Sequence, residues 1–257
     1  MIAITRPVSP KMADCQLTYQ ERQPIDIALA TQQHSDYEDA LKRLGCQIVQ
    51  APMEPELPDS VFVEDCAVVF DELAIITNPS AASRKPELDT IVEMLHPHRP
   101  LHFILPPGTL DGGDVLVIGK QIWIGLSGRS NQAAAEQVEA LLQPHGYQVQ
   151  AVEVKGCLHL KSAVSQVKTD TLLLNPAWVD AAHFEGFKII ETFPDEPHAA
   201  NALMIGESVI YPVDYLLTAM LLADKGIELL LVDCSEVIKA EGGVTCCSLV
   251  FSGKRGS

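Results

Sequence analysis

Cys246 stands where a polar, glycine-flexed turn, Glu241-Gly242-Gly243-Val244-Thr245, runs into the apolar stretch Cys247-Ser248-Leu249-Val250-Phe251. The paired glycines predict a backbone that takes positive φ and comes close to a ligand, and the strand behind them predicts a rigid mount for a nucleophile. A histidine, His159, and several carboxylates, Asp65 with Glu64 beside it and Asp111, complete a set that suits attack of a thiolate on an electrophilic carbon while an imidazole moves protons. That chemistry requires no metal. The carboxylates select the substrate: a buried anionic site fits a guanidinium, whose planar N–H fork pairs bidentately with carboxylates. The same anions would raise the pKa of the thiol, and a bound cation would lower it again, so the thiol is expected to ionise mainly when the substrate arrives.

The elements that must position these groups repeat. After a short N-terminal strand comes a polar loop from Pro10 to about Pro24, long enough to act as a lid or binding element, then a helix over Ile25 to Leu44 stopped by Gly45 and a strand at Gln47–Ala51. The next unit reads strand (Val61–Phe70), turn, strand (Leu73–Thr77), helix (near Glu87–Leu95). The pattern returns from Leu110 with strands at Val115–Ile118 and Gln121–Gly125 and a helix from Gln132 to Leu142. A third copy begins with an apolar strand at Gly156–Val164, and a fourth at Ala200–Ile205 has a helix around Leu216–Lys225 and a strand at Glu228–Val232. A fifth, Gly242–Phe251, lacks a helix and closing strand that the N-terminal strand, helix and strand supply. Repetition of this kind at intervals of roughly 45 residues predicts a single α/β domain over 1–257, a ring of ββαβ units closed by both termini. Each copy opens its first apolar strand with a polar residue, namely Asp65, Asp114, His159, Asn201 and Cys246, and in a ring these converge on the centre.

Composition bounds the partners. With 18 Lys+Arg against 34 Asp+Glu the formal net charge is −16, which disfavours nucleic acid and acidic membrane surfaces and favours a cationic small molecule. No run approaches the length of a membrane span, and the N-terminal residues lack a signal-peptide pattern. Seven scattered cysteines without a C-x-x-C pair are thiol usage for a reducing cytoplasm and suggest no zinc site. A homodimer is allowed, with no exposed stripe in the sequence marking its face.

Four motifs occur in order: Pro58-Asp59-Ser60-Val61-Phe62-Val63-Glu64-Asp65, Thr109-Leu110-Asp111-Gly112-Gly113-Asp114, Leu158-His159-Leu160-Lys161 and Gly243-Val244-Thr245-Cys246. Over essentially its whole length the chain resembles the dimethylarginine dimethylaminohydrolases, of the guanidine-modifying (pentein) superfamily with a five-bladed α/β propeller. The resemblance implies hydrolysis of Nω-methylated L-arginine to L-citrulline and an amine, without a cofactor. Cys246 would form a thiouronium at the guanidinium carbon, His159 would protonate the departing amine and then activate water, Asp111 would orient His159, and Asp65 would hold the guanidinium. It also implies that Asp59 meets the substrate α-amino group, that Arg84 and Arg129 meet its α-carboxylate, that Leu17 belongs to the lid, and that Glu241 contacts substrate through its backbone. Some members carry glutamate in place of Asp111, and many carry aspartate in place of Glu241.

Cys247 reads as a buried neighbour, Lys161 as a surface charge at a strand end, and Cys66 as turned away from the pocket by strand alternation. The rival readings are a relative acting on arginine, N-hydroxyarginine or another guanidine, a non-catalytic arginine-binding protein, and a thiol peptidase. The paired arginines speak against agmatine, which has no carboxylate. The intact Cys246, His159 and Asp111 speak against mere binding, and a cysteine at a strand opening lacks the helix N-terminus that favours a peptidase thiolate.

Overall fold

The computed structural model describes residues 1–253; the domain expected over 1–257 extends four residues beyond them. Strand β1 (Ile2–Thr5) leads into the long loop and then helix α1 (Ile27–Arg43). The helix starts at Asp26, whose side chain accepts the N–H groups of Ala28 and Leu29, and it buries Ala30, Tyr37, Ala40 and Leu41. Gly45, at φ +85°, ends it and admits β2 (Gln47–Gln50).

The repeat then runs as β3 (Ala67–Val69), β4 (Ala74–Ile76), α2 (Leu88–Leu95) and β5 (Leu101–Phe103), followed by β6 (Val115–Ile118), β7 (Gln121–Leu126), α3 (Gln132–Leu142) and β8 (Gln148–Glu153). A four-residue helix α4 (Leu160–Ala163) opens the next unit, with β9 (Val164–Lys168), β10 (Thr171–Leu174) and β11 (Lys188–Glu191). The last is β12 (Leu203–Ile205), β13 (Ser208–Pro212), α5 (Leu216–Asp224) and β14 (Glu228–Val232), after which α6 (Ser235–Ile238) leads to β15 (Leu249–Phe251).

Among the described residues these strands form five three-stranded sheets of one design, in which the first strand is antiparallel to the second and the second parallel to the third. The sheet β15-β1-β2 joins the two ends of the chain, with Ile2 opposite Phe251 and Ile4 opposite Leu249. The first strands of all five sheets, β3, β6, β9, β12 and β15, line one cavity, as a five-bladed ring requires. Aliphatic clusters fill the spaces between strands and helices, so the core is distributed around that axis. No helix among the described residues is long and apolar enough to cross a membrane.

Three local expectations change. The strand expected at Val61–Phe70 is only Ala67–Val69, because residues 61–66 have no adjacent strand: Asp65 N–H closes on the Phe62 carbonyl within a 3-10 turn, while Glu64 N–H reaches the Cys246 carbonyl. The third copy opens with α4 where a strand was expected, and its crossover carries the 3-10 turn Ala181–Phe184 in place of a helix. Gly242–Ser248 is turn, and β15 begins only at Leu249. No exposed stripe is marked in the sequence, yet α5 presents Leu216, Leu217 and Met220 to solvent.

Candidate active site

The five polar residues do sit just ahead of the five first strands, and three of them, Asp65, His159 and Cys246, line one pocket together with Asp59, Arg84, Arg129, Glu241 and the lid residue Gln16. Asp114 and Asn201 do not line it; they hold its parts. Asp114 accepts the hydroxyls of Ser127 and Ser130, each at 2.6 Å, and the Leu160 N–H at 2.9 Å, fixing the turn that presents His159. Burial pushes its carboxyl up to about 6. Asn201 exchanges two bonds with Thr245, Nδ2 donating to Oγ1 at 2.9 Å and Oδ1 accepting the Thr245 N–H at 3.1 Å, and so pins the residue before Cys246.

The glycines of the nucleophile turn act otherwise than expected. Neither Gly242 nor Gly243 has positive φ; a Cβ would stand 2.4 Å from the Phe62 ring at Gly242 and 2.5 Å from Asn201 Oδ1 at Gly243. They are needed for close packing, and the positive φ falls on Glu241, at +59°.

Cys246 is half-buried and its carbonyl accepts the Glu64 N–H at 3.1 Å. Burial, then the charges of Glu64 and Asp65, push its thiol up to about 12. His159 Nε2 lies 3.1 Å from Asp111 Oδ2 and 3.9 Å from Asp65 Oδ1. Burial alone would lower its pKa, but Asp65 and the Asp111 hydrogen bond prevail and raise it to about 9. Asp111 is buried behind the histidine, and although it is shorter than glutamate it reaches the ring. Between them, Gly113 gives its N–H to Asp65 Oδ1 at 2.9 Å, and a Cβ there would meet His159 Nδ1 at 2.7 Å. Ligand atoms of Asp65, Asp111 and His159 lie within 4.8 Å of one another, close enough for a cation, and the protonated imidazole itself supplies positive charge between the two carboxylates.

The anionic pocket expected from Glu64 and Asp65 is largely compensated, because their side chains diverge. Glu64 does not line this pocket; it faces the central cavity, where Lys161 Nζ pairs with Oε1 at 2.5 Å and the Thr245 hydroxyl reaches Oε2 at 2.9 Å. Lys161 is therefore a half-buried counter-ion on α4 that faces the central cavity, and not a surface charge at a strand end. Asp65 pairs with Arg84 at 2.5 Å, and His159 and Arg84 hold it well below its ordinary pKa despite burial. Arg84 also binds Glu87 and the Phe62 and Asp59 carbonyls, which leaves it one Nη1 proton for a ligand. Cys66 lies in the 3-10 turn beside Glu87, away from the pocket for a reason other than strand alternation. Cys247 is buried against the Gly243 carbonyl. Glu87, Lys161 and Thr245 were missed as supporting groups, and Asn201, expected at the centre, supports the nucleophile turn without lining the pocket.

The loop expected to act as a lid is held against the pocket. Asp59, its pKa raised by burial, accepts the Gln16 N–H at 3.2 Å; Arg129 Nη2 reaches Thr18 Oγ1 at 3.3 Å; Leu17 packs on the core cluster beside it.

The family model described as eukaryotic N,N-dimethylarginine dimethylhydrolase matches residues 11–177. The chain is 39% identical over 248 residues to the N(G),N(G)-dimethylarginine dimethylaminohydrolase of Streptomyces coelicolor, covering 96% of this chain and 95% of that one. It belongs to the dimethylarginine dimethylaminohydrolase family. The Pseudomonas aeruginosa member is 37% identical over 228 residues, 88% of this chain and 90% of its own. Its cysteine-to-serine mutant complexed with citrulline superposes with a TM-score of 0.92 at 35% identity, over 97% and 98% of the two chains. The N-terminal domain of ArgZ, 17% identical with a TM-score of 0.86 over 96% of each chain, shares the pentein fold.

Proposed function

We propose that this member of the family hydrolyses Nω-methylated L-arginine to L-citrulline and methylamine or dimethylamine through a covalent thiouronium on Cys246. The observation that carries the reading is the convergence of Cys246, His159 and Asp65 on one pocket with Arg129 at its rim. Support comes from a related structure, 35% identical with a TM-score of 0.92, of a histidine-to-glycine mutant adduct with S-methyl-L-thiocitrulline.

Burial, then the Glu64 and Asp65 charges, push the Cys246 thiol up to about 12; the guanidinium pairs with Asp65, and its positive charge beside the sulfur favours the thiolate, so the thiol gives its proton to solvent in the complex. The thiolate adds to the guanidinium carbon; His159, protonated below about pH 9, gives its proton to the departing amine as the C–N bond breaks. The neutral imidazole then takes a proton from water, hydroxide adds to the same carbon, and the C–S bond breaks as the hydroxyl proton passes to the departing sulfur, which releases citrulline and restores the thiol. Asp111 fixes the ring throughout. Asp59 takes the α-amino group, Arg129 and the remaining Arg84 proton the α-carboxylate, the Glu241 backbone the substrate chain, and Leu17 with its loop excludes water. The partner is a cationic small molecule, and the reducing cytoplasm is the setting that seven free thiols support.

Titration of the Cys246 thiol with and without a guanidinium ligand tests the ionisation step. A large fall in pKa on binding is expected; a thiol fully ionised at neutral pH in the free protein contradicts it.

A further inference from the structure

Glu241 breaks a local rule. Gly242 N–H bonds the Val237 carbonyl and Glu241 N–H the Ile238 carbonyl, the paired bonds of a Schellman turn closing α6, with Glu241 in the left-handed position at φ +59°. Glycine is the usual residue there, since a Cβ makes that conformation unfavourable. A strained non-glycine residue persists where its surroundings hold it, and here they do. The Glu241 carboxylate accepts the successive backbone N–H groups of the lid: Thr18 at 3.0 Å, Tyr19, and Gln20 at 2.6 Å. With Asp59 on Gln16, two carboxylates thus hold the amides of four residues between 16 and 20, in a loop without strand or helix partners. The pocket beneath holds about 20 Å³ of free space, room for about one water, so an arginine-sized ligand enters only if the lid moves.

We propose that the Glu241 side chain is a lid latch: a positioning residue that ties the 16–20 segment to the turn bearing Cys246, so that lid closure and nucleophile placement are one event. This goes beyond the backbone contact with substrate and rests on the proposed reaction only for its kinetic arm. The side chain acts through the lid and touches no reacting atom.

Two variants test it. Glu241→Gly removes the latch and relieves the backbone; Glu241→Gln keeps the shape and one acceptor oxygen. In the ligand-free protein, hydrogen exchange of the Thr18, Tyr19 and Gln20 amides should quicken at least about tenfold in Glu241→Gly and less in Glu241→Gln, while the melting temperature is unchanged or higher in Glu241→Gly. KM for methylated arginine should rise about tenfold with a smaller change in kcat, because the unlatched lid closes less often over bound substrate. Unchanged exchange at residues 18–20 in Glu241→Gly overturns the latch, and so does quickened exchange spread over the whole chain with a lower melting temperature. Quickened lid exchange in a protein that never turns over methylated arginine would keep the latch and reject the reaction.

Discussion

At the scale of single residues, charge compensation decides the chemistry. That Cys246 and His159 share one pocket was legible in the sequence because both stand at turn-to-apolar boundaries of the repeat, whereas the placement of Asp111 beside His159 was expected only from the family resemblance. The counter-ions of Asp65 and Glu64 were not legible, because Arg84 and Lys161 come from other segments and nothing local marks them as partners of those carboxylates. Removing a charge on the far side of the nucleophile should therefore be felt at the thiol: Glu64→Gln should lower the Cys246 pKa from about 12, read by ultraviolet titration of the thiolate, and an unchanged value contradicts the assignment. The pH profile follows from His159. In the proposed reaction its proton goes to the leaving amine, so kcat/KM should fall as pH rises through about 9, and Asp65→Asn should move that limb to lower pH because Asp65 is the chief charge raising the pKa. The same shift stabilises the fold: raised from 6.5, the imidazolium's contribution is complete below about pH 6.5 and lost as pH rises through about 9. Urea denaturation across that window should show the loss, and a His159→Gln variant should not.

At the scale of elements, helices were read closely where their periodicity stands on its own, as in α3, found over the predicted Gln132–Leu142. Segments whose conformation depends on distant partners were not: Val61–Cys66 is apolar enough for a strand but has no strand to pair with, and its turn is what sends Glu64 and Asp65 to different cavities. The turn Gly112–Asp114 is equally tuned. Gly113→Ala would place a methyl against His159 Nδ1 and Asp65 Oδ1, and activity should drop about a hundredfold for a displacement of about 1 Å while the circular dichroism spectrum is retained. By contrast Asp26→Ala, which removes the cap of α1 remote from the chemistry, should cost about 1 kcal/mol in urea denaturation and leave kcat unchanged.

For the molecule as a whole, closure by both ends was legible because the last repeat lacked a helix and outer strand and the first segment had them to spare. Strand β15 completes the sheet with β1 and β2, and Arg99 reaches across to the Ser252 carbonyl at 2.7 Å. A chain ended after Ser248 keeps every proposed site residue yet should lose cooperative unfolding and turnover together, since β3 and β1 lose their neighbour in the ring. The central claim concerns one bond at one carbon, and it is tested by citrulline release from asymmetric dimethylarginine, monomethylarginine and arginine, with Cys246→Ala and Cys247→Ala beside the intact protein. Turnover of the methylated substrates, abolished by Cys246→Ala and retained by Cys247→Ala, is the expected result. No citrulline from any of the three, or activity surviving in Cys246→Ala, would contradict it.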